Sequence, residues 1–290
     1  MAGPGRGRVR GRVTAVSQAI AATPVTEARR RLRAALTAGR RVTGTFVKLP
    51  TVDCVDLARQ AGFDFVVVDG EHSALPEETV LALVRHAAVT GLAALVRVPS
   101  VNAAWVNRVL ESGAAGVQLS MLTRAAETAA LIAATRYAPR GERSVSLAHP
   151  AAGFGATDLA AYLAAEERDP PLLVGQIETA TTRDPLAELV DGLDVAFVGT
   201  TDLAVSLGIA GAADQSALAA RVAEVAAAAH AAGTAFGGWV ARPEADLIAG
   251  AGLGSAAFVI AGSDLQLLGS ALRATAAGAR DLPGLESGAS

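Results

Sequence analysis

The stretch FDFVVVDGEHS, residues 63–73, contains the pattern on which the fold assignment rests. Its apolar run FVVVD (65–69) has the length of a strand and shows no polar alternation, which is typical of a parallel strand buried on both faces. Scanning outward from this run finds seven more of the same type. They are VTGTFVK (42–48), AALVRV (93–98), AGVQL (115–119), LLVGQIE (172–178), VAFVG (195–199), TAFGGWV (234–240) and AAFVIAG (256–262).

Segments with helical signals separate these runs. One spans 51–62, a second spans 100–113 with Ser100 as its N-terminal signal, and a third opens at Asp184–Pro185. Strands that alternate with helices imply parallel βαβ units, whose right-handed crossovers leave a closed barrel or an open doubly wound sheet. Eight regular units favour a single (β/α)8 TIM barrel.

The longest connection, residues 121–171, departs from this regularity. It is predicted to hold helices at 124–136 and 157–167 around the loop YAPRGERSVSLAHPAAGFG. Loops of this length in compact domains are usually lids or partner contacts. The glycines of GAGLG (250–254) follow a helical segment rather than a strand, so they predict a helix stop and not a dinucleotide site.

Length and composition bound the organisation of the chain. The 290 residues are 51% hydrophobic and suit one large α/β domain, which we place at 26–282, between a disordered N-terminal arm (1–25) and a C-terminal tail (283–290). The net charge of −3 without a basic stripe disfavours nucleic acid as a partner. No run reaches about 18 apolar residues, which disfavours a membrane.

The cysteine and the histidines outside the predicted strand ends give little indication of a functional site. The single cysteine, Cys54, excludes an intramolecular disulfide and fits a reducing cytoplasm. We expect it to be a packed small residue of the helix at 52–61 rather than a nucleophile. His86 and His230 lie in helical segments and are expected at the surface, whereas His149 lies in the long loop, within possible reach of a ligand.

Polar residues collect where the predicted strands end, which is where active sites of parallel barrels lie. They are Lys48 after the first strand, Asp69, Glu71 and His72 after the second, Arg97 in the third, Gln176 and Glu178 in the fifth, and Gly199 and Asp202 after the sixth. Several charges converging on one rim would carry a large desolvation cost unless a ligand or metal compensated them.

Glu178 and Asp202 are one βα unit apart, so their carboxylates should face one mouth. Two carboxylates with room for water and substrate oxygens suit Mg²⁺ or Mn²⁺, and the absence of neighbouring His or Cys disfavours a closed zinc site. The alternative is that Asp202 caps the following helix, DLAVSLG.

Three cations at this rim leave alternatives open. Arg97, in a buried strand, either pairs with a protein carboxylate or stabilises a substrate oxyanion. His72 either transfers a proton during the reaction or does not contact the substrate and only binds residues that do. Lys48 could form a Schiff base with a ketone, act electrostatically, or simply face solvent.

Taken in order, GTFVKLP, FDFVVVDGEHS, ALVRVP, ESGAAGVQL, TRYAPRGERS, VGQIET and VGTTDLAVSLG resemble the HpcH/HpaI family of metal-dependent class II 2-keto acid aldolases, such as 2,4-dihydroxyhept-2-ene-1,7-dioate aldolase. The resemblance covers roughly residues 40–275. It implies a (β/α)8 barrel, a divalent ion (Mg²⁺, Mn²⁺ or Co²⁺), a keto acid substrate, and a homo-oligomer, trimeric or hexameric, in which a neighbouring subunit completes the site.

The resemblance also implies roles for individual residues. Glu178 and Asp202 would be the metal ligands; Arg97 would face the keto oxygen; His72 would be the acid/base at the C4 hydroxyl, supported by Asp69 and oriented by Glu111; and Gln176, Gly199, Thr200 and Thr201 would hold the substrate carboxylate. The implied reaction is cleavage of a 4-hydroxy-2-oxo acid into pyruvate enolate and an aldehyde.

Departures from the family pattern fall at Ser120, Ser144 and Thr200, which we expect to shape the pocket rather than the metal site. They leave room for a related synthase that condenses an enolate with another keto acid or an acyl-CoA, as in citrate formation for siderophores. A non-catalytic barrel that binds a metabolite and regulates a partner would also keep Arg97 and the carboxylates.

Overall fold

Eight parallel strands close into a barrel in sequential order in the computed structural model, which describes residues 23–211 and 214–280. The predicted fold class is therefore confirmed. The strands are β1 (Val42–Val47), β2 (Phe65–Asp69), β3 (Ala93–Val98), β4 (Gly116–Leu119), β5 (Leu172–Ile177), β6 (Val195–Val198), β7 (Ala235–Val240) and β8 (Phe258–Ser263).

Helices surround this barrel in the described residues. They are α1 (Pro24–Thr37), α2 (Asp53–Gln60), α3 (Glu77–Thr90), α4 (Ala103–Glu111), α5 (Ala125–Thr135), α6 (Leu159–Arg168), α7 (Leu186–Val190), α8 (Thr200–Ser206), α9 (Ser216–Ala232), α10 (Ala245–Gly250) and α11 (Asp264–Arg280). Because each crossover helix returns the chain to the start of the next strand, these helices end near the rim where the strands begin.

Most predicted element boundaries agree with the structure to within two residues. The N-terminal signal assigned to Ser100 is wrong: α4 begins after Asn102, whose side chain accepts a hydrogen bond from the Trp105 N–H at 3.0 Å. The long connection does hold two helices, α5 and α6, with a 3-10 segment at Pro150–Gly155 between them. The glycine run at 250–254 ends α10, as predicted.

Helix α1 covers the end of the barrel at which the strands begin. The Thr23 hydroxyl caps it, and Leu32 is among its residues that pack on the barrel interior. Inside, the Phe65 and Phe258 rings stack with centroids 4.2 Å apart. Gly44 leaves room for this pair, since a Cβ there would lie 2.3 Å from the Phe65 ring. The barrel is thus filled at its base and open toward the opposite rim.

Two predictions concern segments outside the described residues. The predicted arm (1–25) lies outside them except at its end, where α1 begins at Pro24, and the predicted tail (283–290) lies outside them entirely. Among the helices of 23–211 and 214–280, none is long and apolar enough to cross a membrane. Cys54 lies half-buried in α2, where burial raises the pKa of its thiol to about 11, so a packing role fits it better than a nucleophilic one.

Candidate active site

A cavity of about 350 Å³ opens at the rim formed by the C-terminal ends of the strands. Its wall contains most of the residues predicted for the site: His72, Arg97, Gln176, Gly199, Thr200, Thr201 and Asp202. Asp69 and Glu178 lie directly behind the wall, where Asp69 is hydrogen-bonded to Arg97 and Glu178 to Gln176. The fold therefore brings nine of the ten predicted residues to one place, while their roles stay predictions.

Asp69 and Arg97 occupy paired positions on β2 and β3, so their side chains leave the sheet side by side. Arg97 donates Nε to Oδ1 at 2.9 Å and Nη2 to Oδ2 at 2.6 Å, and the N–H groups of Glu71 and His72 donate to Oδ1. Burial alone would raise the pKa of Asp69, but the hydrogen bonds and charge of Arg97 lower it to about 2. Arg97 was expected to pair with either a protein carboxylate or a substrate oxyanion, and the structure shows the first of these, Asp69.

Glu178 has a different environment. Its Oε1 accepts the Met121 N–H at 2.8 Å, and its Oε2 accepts from the Gln176 amide. Burial raises the pKa of Glu178 to about 7, these two hydrogen bonds oppose the rise, and the charges of Asp202 and Glu71 add to it. Glu178 is thus a buried carboxylate among other anions, with no cation bonded to it among the described residues.

Glu178 and Asp202 fit a hard divalent cation. The absence of a side chain at Gly199 leaves room for the Glu178 carboxylate, because a Cβ at residue 199 would lie 2.3 Å from Glu178 Oε2. Asp202 is not the N-cap of α8, because this helix begins at Thr200 after Gly199 and Asp202 lies within its first turn. Within the described residues no set of three or more His, Cys, Asp or Glu is arranged to hold a metal, so further ligands would be water or substrate.

The buried Glu178 carboxyl predicts a pH dependence of the metal-free protein. Its pKa is 4.5 in the unfolded chain and about 7 in the folded one, so the stability it confers is complete below pH 4.5 and is lost as the pH rises through 7. The loss amounts to up to about 3 kcal/mol. In EDTA, urea unfolding at about pH 5 and about pH 8 should show this fall in the wild type and not in Glu178→Gln. The same pH dependence in both proteins would contradict it.

His72 has its side chain 56% exposed at the cavity, and its nearest acidic partner is Glu71. Glu71 Oε2 lies 3.7 Å from His72 Nε2 and 3.4 Å from Arg97 Nη1, and Glu71 Oε1 accepts from the Ser120 hydroxyl at 2.8 Å. Glu71 therefore lies between the His72 imidazole and the Arg97 guanidinium. Its place in the sequence, directly before His72, could have indicated this contact.

Glu111 is not brought to His72 within this chain, and its expected role in orienting the histidine stays a prediction. It is the last residue of α4, and crossover helices end near the opposite rim. Its carboxylate accepts a hydrogen bond from Asn107 at 3.2 Å, and its charge acts on His149 and Tyr137.

Ser144 and the remaining histidines also lie away from the cavity. Ser144, expected to shape the pocket, accepts a hydrogen bond from Asn107. His149 is buried, with Nε2 at 2.9 Å from the Ser146 carbonyl, and does not line the cavity. Of the expected surface histidines, His230 is exposed, whereas His86 is half-buried and 2.8 Å from Asp56.

Lys48 lies at the cavity with its ammonium group engaged. Nζ is 3.1 Å from Asp69 Oδ2 and 3.3 Å from the His72 carbonyl oxygen. The side chain is 20% exposed, so the solvent-facing alternative is excluded. The Lys48 amine is therefore bound by a carboxylate and a carbonyl oxygen, whereas attack on a ketone requires a free amine.

Sequence reasoning missed several contributors to the site. The Met121 backbone, held at φ 53°, supplies the N–H that binds Glu178. Gln118 donates to the Gln176 oxygen at 2.6 Å and thereby orients that amide toward Glu178. Phe46 and Trp239 form apolar wall, and the Arg97 guanidinium lies 4.4 Å above the Phe46 ring. The alternation of inward-facing residues along β1 and β4 could have indicated Phe46 and Gln118.

Comparison with known proteins gives a family and a set of relatives. The model of the HpcH/HpaI aldolase/citrate lyase family matches residues 42–271. The 4-hydroxy-2-oxovalerate aldolase of Novosphingobium aromaticivorans is 33% identical over 189 residues, which are 64% of this chain and 71% of that protein.

Two solved structures extend the likeness over most of the chain. The HpcH/HpaI aldolase from Desulfitobacterium hafniense DCB-2 has a TM-score of 0.79 at 28% identity, covering 87% of this chain and 98% of that one. The citrate synthase SbnG has a TM-score of 0.73 at 26% identity, covering 86% of this chain and 97% of that one.

Proposed function

Because the chain belongs to the HpcH/HpaI aldolase/citrate lyase family, we propose that it is a carbon–carbon lyase that cleaves a 4-hydroxy-2-oxo acid into pyruvate and an aldehyde. The observation that carries the proposal is that one cavity combines a carboxylate pair, Glu178 and Asp202, with the buried Arg97 and the exposed His72. This set can hold a cation, stabilise an oxyanion and move a proton.

Members of the family generally depend on a divalent metal. Glu178 and Asp202 would hold that ion here, whether Mg²⁺, Mn²⁺ or Co²⁺. When bound, the ion would supply Lewis-acid stabilisation of negative charge on the substrate oxygens. Gln176, Thr200 and Thr201, with the backbone at Gly199, are the polar groups of the cavity wall that would bind the substrate carboxylate.

In the cleavage step, His72 accepts the proton of the C4 hydroxyl and the C3–C4 bond breaks. The electron pair of that bond passes to C3 to give the pyruvate enolate, the aldehyde leaves, and the proton returns to C3. Arg97 stabilises the charge on the C2 oxygen through Nη1, the terminal nitrogen that Asp69 does not bind. The Glu71 carboxylate lies 3.7 Å from His72 Nε2, beside the ring that takes up this proton.

The test is pyruvate release from a panel of 4-hydroxy-2-oxo acids with Mg²⁺ or Mn²⁺, with EDTA, and with Glu178→Gln. Release that both EDTA and the substitution abolish supports the metal-dependent lyase. Glu224→Gln, an exposed carboxylate on α9, is the matched control and should keep full activity. Release that survives EDTA and Glu178→Gln would overturn the assignment.

Lys48→Met should keep metal-dependent cleavage within about tenfold of the wild type, because the Lys48 ammonium is held by Asp69 and its contribution is electrostatic. Treatment of the wild type with pyruvate and borohydride should leave activity intact. Irreversible inactivation, with the reduced adduct found on Lys48, would move the chemistry to a Schiff base.

A second candidate is a synthase that condenses an enolate with another keto acid or an acyl-CoA. The likeness to the citrate synthase SbnG over 86% of this chain favours it. It would use the same carboxylates and Arg97, so the distinction lies in the products. Mass-spectrometric detection of a condensation product, without pyruvate release from any 4-hydroxy-2-oxo acid, would establish the synthase.

A homo-oligomer, trimeric or hexameric, remains part of the proposal. Helix α11 buries none of its residues, and Leu265, Leu268 and Leu272 are 48%, 48% and 60% exposed. Leu265 lines the cavity, whereas no contact of Leu268 or Leu272 with the cavity is present, and exposed leucines of this kind are typical of a surface that a partner covers. In such an assembly, Glu111 of one subunit could lie near the cavity of a neighbouring subunit.

Leu268→Glu combined with Leu272→Glu is expected to shift the protein to smaller species, because charges would then lie in the surface that associates. Light scattering after size exclusion measures the mass. Leu57→Glu, at a leucine of α2 that is 62% exposed, is the control and should leave the mass unchanged. An unchanged mass in the double variant would place the interface elsewhere.

A further inference from the structure

Three arginines at the base of the barrel bury guanidinium nitrogens that have no hydrogen-bond partner within residues 23–211 and 214–280. They are Arg29 Nε, Arg33 Nε and Arg136 Nη1. Arg29 and Arg33 lie one turn apart on α1, the helix that covers the start of the strands, and Arg136 directly follows α5. Buried N–H donors are normally satisfied, so three in neighbouring arginines require an explanation.

The nearby carboxylates are already used. Glu166 accepts from Arg29 Nη1 at 2.6 Å and from Arg143 Nη1 at 2.8 Å, so one carboxylate serves two guanidinium groups. Asp194 is paired with Arg33 and also accepts a backbone N–H of β5 at 2.8 Å. Neither carboxylate bonds to Arg136, whose side chain forms no ion pair with any described residue.

The electrostatics of Arg136 follow from this arrangement. Burial lowers its pKa to about 10; Asp194 opposes the shift, while Arg33, Arg29 and Arg140 add to it. A guanidinium surrounded by other guanidinium groups lacks the counterion that buried charges normally have. Buried water could satisfy the N–H donors but would not balance the charge.

Arg136 also lines a small cavity of about 50 Å³, together with Tyr137, Arg140, Glu166 and Glu167. Both carboxylates are already paired, Glu166 with Arg29 and Arg143 and Glu167 with Arg140, so neither balances the charge of Arg136. The cavity is separate from the candidate active site, because it lies where α5 and α6 end rather than at the C-terminal ends of the strands. Its size suits a compact group, and arginine is the side chain that best matches the oxygens of phosphate or carboxylate.

We propose that the cavity at Arg136 is a binding site for a phosphate-sized oxyanion at the base of the barrel, where Arg33 and Arg29 add positive charge nearby without lining the cavity. The anion is free phosphate or the phosphate group of a small metabolite, and it supplies the negative charge that the protein does not. It would balance the charge of Arg136 between the ends of α5 and α6, and so stabilise the base of the barrel without taking part in the chemistry at the opposite rim.

The test is thermal unfolding of the full-length protein with Mg²⁺ present and chloride matching the ionic strength. Inorganic phosphate, sulfate and glycerol phosphate are added separately. Phosphate at saturation should raise the wild-type Tm by about 2–4 °C, since a ligand that binds only the folded state stabilises it. The rise should be absent in Arg136→Met, and calorimetry should show at least about a tenfold loss of phosphate affinity.

Matched variants separate binding from folding. Without phosphate, Arg136→Met should be at least as stable as the wild type, because it removes an unbalanced buried charge and keeps the aliphatic volume. Arg136→Lys, which keeps the charge but not the planar fork, should retain a reduced phosphate response. Arg31→Met, on α1 but bonded to the Gly91 carbonyl, should respond like the wild type.

Two results would overturn the proposal. An equal phosphate response in the wild type and Arg136→Met would place the anion elsewhere. No response in the wild type would mean that water or a second copy of the chain satisfies the arginines. A response to both phosphate and glycerol phosphate would support a site open to metabolites, and a response to phosphate and sulfate alone would support a closed site for the free ion.

Discussion

Arg97→Met is expected to lower kcat/KM for pyruvate release by about a hundredfold to a thousandfold, the effect of removing a donor aimed at a developing oxyanion. It should also destabilise the protein by about 3–5 kcal/mol, because Asp69 would remain as a buried carboxylate without its bidentate partner. Steady-state kinetics and urea unfolding measure the two effects.

The double variant Arg97→Met with Asp69→Asn separates these contributions. Removing both charges should recover much of the lost stability and none of the activity, since the buried anion is gone but the oxyanion still lacks its donor. Arg97→Lys should fall between the wild type and Arg97→Met. Activity of Arg97→Met within tenfold of the wild type would exclude a role for Arg97 at the reacting oxygen.

Gly199→Ala is expected to lower the affinity for Mg²⁺ by about tenfold to a hundredfold and activity by about a hundredfold at limiting metal. The added Cβ would lie 2.3 Å from Glu178 Oε2 and 3.0 Å from Gln176 Nε2, so either the carboxylate or the chain at residue 199 must move. A displacement of this kind misplaces a ligand that the proposed chemistry requires.

The comparison for Gly199→Ala is Gly254→Ala, where a Cβ would meet nothing within 4 Å and the backbone needs no left-handed conformation. Metal titration by calorimetry and kinetics over a range of Mg²⁺ concentrations measure the effect in both variants. Full activity and unchanged Mg²⁺ affinity in Gly199→Ala would show that Glu178 is not a ligand.

Local sequence patterns were sufficient to predict the helices and strands and most of the polar residues at the C-terminal rim of the barrel. Both predicted limits of β2 and β3 agree with the structure, because an uninterrupted apolar run that ends in charge marks a strand buried on both faces. The same limits place Asp69 and Arg97 at paired positions, where they form their ion pair. Ser100 shows the weakness of local signals, because Asn102 offered a competing cap within two residues.

Partnerships between distant segments were not accessible in this way. Glu111 could be matched to a family position, but its side chain lies with Asn107 at the end of α4, and Glu71 is the acidic neighbour of His72. The Met121 N–H that binds Glu178 is a backbone group, and the identity of a residue does not indicate what its backbone N–H will bind.

The sequence by itself determined the barrel, its strand order and the set of polar residues at one rim, because these follow from periodicities within a few residues and from the handedness of parallel connections. Only the tertiary structure decided that Lys48 and Arg97 share Asp69, that Gly199 makes room for Glu178, and that Arg136 lies unpaired among arginines of α1. The physical reason is that charge pairing and close packing depend on distances between segments far apart in the chain, and these distances are set by the closure of the whole barrel.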